Sequence, residues 1–148
     1  MAASRPIVHP TDFSSASRPA FAEAIAMAKL KKAPLVIVHV LPSLPIVPDA
    51  YVPPKTIVDL ERAQQEHGKH ELDRVVAKAK AARVPASGVL LEAGTPADQI
   101  VGVAKSKRAD MIAMGTHGRS GIKRVLLGSV AARVVATATC PVLTVRGT

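Results

Sequence analysis

Residues 110–130 read Asp-Met-Ile-Ala-Met-Gly-Thr-His-Gly-Arg-Ser-Gly-Ile-Lys-Arg-Val-Leu-Leu-Gly-Ser-Val. The stretch opens as a short apolar strand, Asp110 to Met114, and runs into glycines at 115 and 118. Gly128-Ser129 then begins a helical segment that lasts to Thr137. Strand, glycine-spaced loop and helix start form a unit suited to an anion. Glycines let backbone N–H groups approach closely and make positive φ available, and a helix N-terminus offers unpaired N–H groups with the positive end of its dipole. Ser129 is expected to cap that helix and to present its hydroxyl to a phosphate oxygen. Arg119, Lys123 and Arg124 add positive charge nearby.

Outward from this stretch, apolar runs alternate with longer helical segments, the pattern of a parallel α/β sheet. Pro6 to His9 predicts a first strand and Ser14 to Lys31 a helix, with Ala20, Phe21, Ala24, Ile25 and Ala28 on one face. Leu35 to Leu41 is almost wholly apolar, as a strand covered on both faces should be. Residues 42–54 hold five prolines and predict a surface loop. Thr56 to Ala82 predicts a long helix, Gly88 to Glu92 a strand, and Thr95-Pro96-Ala97-Asp98 a capped helix start in which Asp98 reaches back. Pro141 to Val145 predicts the last strand. The expectation is five strands and four helices in a single domain over residues 1–148.

The chain has 148 residues, 48% of them hydrophobic, and a single cysteine, which excludes an internal disulfide framework or a thiolate metal cage. No apolar run reaches membrane-spanning length, and Pro6 and His9 interrupt the short apolar stretch of MAASRPIVHP, so a cytoplasmic protein with no membrane partner is expected. The net charge of +9 is lopsided. Residues 1–74 hold nine Lys and Arg against eight Asp and Glu, whereas residues 75–148 hold eleven against three. Such a basic half suits nucleic acid, an anionic surface or a phosphate-bearing ligand. Phe13, Phe21 and Tyr51 are the only aromatics besides histidine and none is interleaved with the basic residues, so a single-strand nucleic-acid groove is disfavoured.

In an open parallel sheet, ligands bind beyond the carboxyl ends of the strands, where strand order reverses. Pro10-Thr11-Asp12 follows the first strand, and Asp12 is the acid placed there for ribose or adenine, or else for a helix N-terminus. His117, inside the glycine loop, is a candidate ligand contact, while His9 and His39 are expected to be packed or hydrogen-bonded within strands. Neither GxxxxGK[ST], GxSxG nor HExxH occurs, so no catalytic residue and no protein-held metal are predicted.

Pro10-Thr11-Asp12-Phe13-Ser14, together with G-x2-G-x9-G-S at Gly115, Gly118, Gly128 and Ser129, resembles the ATP-binding universal stress proteins. Asp110 to Gly115 and Cys140-Pro141-Val142-Leu143 extend the resemblance over essentially the whole chain. It implies a three-layer, Rossmann-like domain of the adenine nucleotide alpha hydrolase type, with strand order 3-2-1-4-5. It further implies that Pro10, Thr11 and Asp12 lie at the ribose or adenine, that the Val40 backbone reads the adenine edge, and that Met114, Gly115, His117, Gly118, Arg119, Gly128, Ser129 and Val130 surround the phosphates. Mg or Mn would ride on those phosphates, and Val142 to Val145 would pair across a homodimer. His9 departs from the family, which usually has an apolar or aromatic residue there. The function expected is a nucleotide-dependent stress regulator with slow or no ATP hydrolysis. The alternatives are a genuine ATPase and a basic module for nucleic acid or a protein partner.

Overall fold

In the computed structural model the described residues are 4–45, 47–92, 94–117 and 127–147. Strands β1 (Ile7–Pro10), β2 (Leu35–Val40), β3 (Ala86–Leu91), β4 (Met111–Gly115) and β5 (Val142–Val145) form one parallel sheet in the order β3-β2-β1-β4-β5. Helices α1 (Arg18–Lys31) and α2 (Pro54–Ala81) cover one face. Helices α3 (Pro96–Ser106) and α4 (Ser129–Thr137) cover the other. The side-chain alternation of the strands sorts the core accordingly. Ile7, Leu35, Ile37, Met111 and Ala113 meet α1 and α2, whereas Val8, Val36, Val38, Ile112 and Met114 meet α3 and α4.

The first helix starts later than its apolar spacing suggests. Ser15–Ser17 form a 3-10 turn, and α1 begins at Arg18 with Pro19 in its first turn, where the missing N–H costs nothing. Helix α2 begins two residues before the expected Thr56, because Pro54 likewise occupies a helix start. At 28 residues α2 is about 42 Å long, and its first buried position is Gly68. A Cβ on Gly68 would lie 2.9 Å from Leu41 Cδ2, so the missing side chain sets how closely α2 packs on the sheet. The capping box expected at α3 does not form. Thr95 is the N-cap but makes no side-chain cap bond, and Asp98 instead takes a two-pronged pair from Arg133 of α4 (Nε–Oδ1 2.9 Å, Nη2–Oδ2 3.2 Å). A charge-assisted fork on a neighbouring helix outcompetes a single bond to a backbone amide.

Strands β1 and β4 mark the switch point, and their pairing is short. It covers Ile7 with Met111 and Val8 with Ile112. Beyond it the His9 side chain reaches across, Nδ1–H donating to the Ala113 carbonyl at 2.9 Å. His9 is fully buried beside Phe21, and burial lowers its pKa from 6.5 to about 4, against a smaller raising effect of the Ala113 bond. It is therefore a neutral core residue at physiological pH, as its strand position suggested. No described helix is long and apolar enough to cross a membrane.

Candidate functional site

Where β1 and β4 diverge, a cavity of about 300 Å³ opens at the carboxyl ends of the strands. From β1 and its following turn come Pro10, Thr11 and Asp12; from β2 comes Val40. From β4 and its loop come Met114, Gly115 and His117, and from the start of α4 come Gly128, Ser129 and Val130. All of these were singled out in the sequence. Gly118 and Arg119, together with Lys123 and Arg124, lie outside the described residues.

The β1 turn is locked by its own side chains. Asp12 Oδ1 accepts from the Ser14 amide at 2.9 Å and from Ser17 Oγ at 2.7 Å. Asp12 therefore organises the entry to α1, as the helix-start reading expected, and it also lines the cavity. Thr11 Oγ1 accepts from the Phe13 amide at 3.1 Å, and the Thr11 carbonyl accepts from His39 Nδ1 at 2.8 Å. Phe13 has a left-handed φ of 65°, and its ring stacks on His39 with centroids 4.1 Å apart. His39 is thus a bonded, packed strand residue that shapes one wall of the cavity.

The opposite wall departs from expectation in two respects. Gly128, not Ser129, is the N-cap of α4, so Ser129 occupies the first helical position and makes no capping bond. Nor is Gly115 in the left-handed region; a Cβ there would make only ordinary contacts, the nearest at 3.5 Å. Gly128 is required for space rather than for φ. Its amide donates to the Thr116 carbonyl at 2.6 Å, and a Cβ would sit 3.0 Å from that same oxygen. This tight link aims the start of α4 at the cavity. The N–H groups of Ser129, Val130 and Ala131 precede the first intrahelical donor, Ala132, which bonds to Gly128.

Thr116 was not singled out in the sequence. It lines the cavity, only 7% of its surface is exposed, and its Oγ1 has no hydrogen-bond partner among the described residues. A buried hydroxyl without a partner is costly, so this position at the end of β4 is strained until a partner reaches it. Ser17, Val38, His39, Pro96, Ile100 and Ala131 also line the walls without having been predicted. Asp12 is the only carboxylate among the described lining residues. Among the described residues, no three His, Cys, Asp or Glu gather in a way that could hold a metal ion.

Residues 3–146 match the model of the universal stress protein family. The chain belongs to that family. Universal stress protein MJ0531 of Methanocaldococcus jannaschii is 40% identical over 141 residues, covering 95% of this chain and 81% of that one. Among solved structures, universal stress protein UspA from Lactobacillus plantarum is 26% identical with a TM-score of 0.79, covering 99% of this chain and all of that one. The universal stress protein from Archaeoglobus fulgidus in complex with dAMP is 26% identical with a TM-score of 0.65, over 94% of this chain and 95% of that one.

Proposed function

We propose that this universal stress protein binds ATP in the β1/β4 cavity and acts as a nucleotide-dependent regulator in the cytoplasm. The observation that carries the reading is the composition of one cavity: Asp12, the sole carboxylate among its described lining residues, and the N-terminus of α4 share it. A carboxylate suits ribose hydroxyls or an adenine amino group, and helix N–H groups suit phosphate. The dAMP carried by the Archaeoglobus relative supports an adenine nucleotide as the ligand class. In the sites assigned here, Pro10, Thr11, Asp12 and Val40 face the nucleoside. Met114, Gly115, His117, Gly128, Ser129 and Val130 hold the phosphates, joined by Gly118 and Arg119 on the sequence motif. Mg or Mn would be held chiefly by the phosphates, since the described side chains offer hydroxyls and no carboxylate cage.

Hydrolysis is slow in this reading. Phosphoryl transfer needs a positioned nucleophile and in-line stabilisation, and the single lining carboxylate already accepts two bonds from its own turn. Homodimerisation uses β5, the edge strand beside β4. The Pro141 and Val145 carbonyls accept from the amides of Ile112 in β4 and Thr116 just after it, so the parallel alternation turns the Val142 and Thr144 N–H groups outward. An open edge of this kind invites a second copy.

The test is the absorbance spectrum of freshly purified protein, followed by acid release and chromatography of bound nucleotide. With no tryptophan and one tyrosine, adenine would dominate the near-ultraviolet spectrum. Released ATP, or saturable binding of added ATP with magnesium, is the expected result. A clean protein that binds no added ATP would overturn the reading, and brisk turnover abolished by Asp12→Asn would overturn its regulatory half.

A further inference from the structure

The opposite end of the sheet carries a charge pattern that the cavity does not use. Pro6, Pro34 and Pro85 precede β1, β2 and β3, and their carbonyls bond the starts of neighbouring strands. Pro85 accepts from Leu35, Pro34 from Ile7 and Pro6 from Asp110, at 2.8–2.9 Å. The turns that lead into these strands are therefore held in a level row. With neighbouring strands about 4.8 Å apart, the turns before β3, β2 and β4 fall within ~15 Å of one another along the sheet.

Each of these turns is basic. Helix α1 ends in Lys29 and Lys31 and is followed by Lys32. Helix α2 ends in Lys78 and Lys80 and is followed by Arg83. Helix α3 ends in Lys105 and is followed by Lys107 and Arg108. All nine are exposed, as is Arg5 just before β1. The one carboxylate among them, Asp110, is paired with Lys31 at 2.8 Å.

A cation near the last carbonyls of a helix is favoured by the helix dipole, which accounts for one or two per helix. The remaining cation of each turn is different. Lys32, Arg83 and Arg108 have φ of 52°, 66° and 53°, the left-handed position after a helix where glycine costs least. All three turns therefore place a long basic side chain where the backbone would favour none. Exposed among the α1 cations stands Leu30, with 76% of its surface in solvent. That leucine distinguishes between polyanions. A nucleic acid takes a leucine only as a wedge between unstacked base steps, at an energetic cost, whereas the interfacial layer of a bilayer accepts both the cations and the leucine directly.

We propose that this end of the domain is a docking face for an anionic phospholipid surface, with the turn cations on the headgroup phosphates and Leu30 in the interfacial layer. The contact is peripheral and independent of the nucleotide cavity. Each cation held near such a surface raises the partition coefficient by about fivefold.

The experiment is co-sedimentation of the full chain with vesicles of phosphatidylglycerol and phosphatidylcholine in equal parts, against vesicles of phosphatidylcholine alone, at low and physiological salt. Binding to the anionic vesicles that weakens with salt is expected. The combined variant Lys32→Gly, Arg83→Gly, Arg108→Gly should bind about a hundredfold more weakly with a melting temperature no lower than the parent's, because glycine relieves the left-handed backbone. Leu30→Ser should lower the partition coefficient by about a further tenfold. Equal binding to neutral vesicles, or a triple variant that sediments like the parent, would overturn the proposal. So would a parent that ignores anionic vesicles yet binds duplex DNA, which would give the face to nucleic acid instead.

Discussion

The two ends of the sheet use opposite devices. At the carboxyl end the described residues make a concave site whose lining holds one carboxylate, Asp12, and no lysine or arginine. At the amino end it makes an exposed, strongly basic surface from long side chains. The use of glycine is inverted as well. None of the described glycines has a left-handed φ, and Gly128 is there because a Cβ would press on the Thr116 carbonyl. The left-handed positions after α1, α2 and α3 are filled by Lys32, Arg83 and Arg108. Glycine thus serves close approach at one end, and at the other the backbone accepts strain in exchange for charge.

His9 lies between the two ends, and the largest effect is expected there. The unfolded chain takes up a proton near pH 6.5, whereas the buried ring holds off until about pH 4. Protonation therefore favours the unfolded state in that window. The contribution is fully present above pH 6.5 and falls by about 3 kcal/mol as the pH drops to about 4. Urea melts across this range should show the slope, and His9→Phe, which removes the titrating ring from the core, should flatten it. A slope that survives the substitution would place the acid sensitivity elsewhere.

Next in size is Gly128→Val, which drives a branched side chain against the Thr116 carbonyl. A loss of about 2 kcal/mol in stability is expected, along with loss of adenine nucleotide binding, because the start of α4 must move. Chemical melts and an ATP titration on the same sample check both halves. Lys32→Gly at the other end should have the opposite sign, a gain of about 0.5–1 kcal/mol, since the left-handed penalty exceeds the entropy cost of glycine. If both substitutions destabilised the fold, the inversion between the ends would be lost.

How much of this was legible depends on the range of the signal. Apolar runs and their punctuation are local, and they locate all five strands to within two residues at either boundary. The cavity lining at Asp12, Gly115, His117, Gly128 and Ser129 follows from turns and a helix start beside strand ends, whereas Pro10, Thr11, Val40, Met114 and Val130 came in through the family resemblance. Thr116 was missed because its importance lies in lacking a partner, which no spacing encodes. Ser17 was missed because the Asp12 turn brings it inward through a 3-10 segment that apolar periodicity reads as helix. The Asp98–Arg133 pair joins residues 35 apart on different helices, so the local capping pattern misdirected its reading. The left-handed cations leave only a weak trace, the absence of glycine after three helices.

The smallest structural effect is expected at Gly115, and its smallness makes it useful. A Cβ there would meet His117 and Ala16 carbonyl oxygens at 3.5 and 3.6 Å, ordinary contacts that require no movement. Gly115→Ala should therefore leave stability within about 0.5 kcal/mol of the parent. Yet Gly115 lines the cavity, and in the proposed binding mode a methyl group there would crowd the phosphates. Nucleotide affinity should drop at least tenfold while the melt is unchanged, a separation that neither Gly128→Val nor His9→Phe can give. Calorimetric titration with ATP and magnesium reads it directly. Unchanged affinity would mean that the ligand stays clear of the Gly115 backbone, and the phosphates would then have to be placed nearer α4 alone.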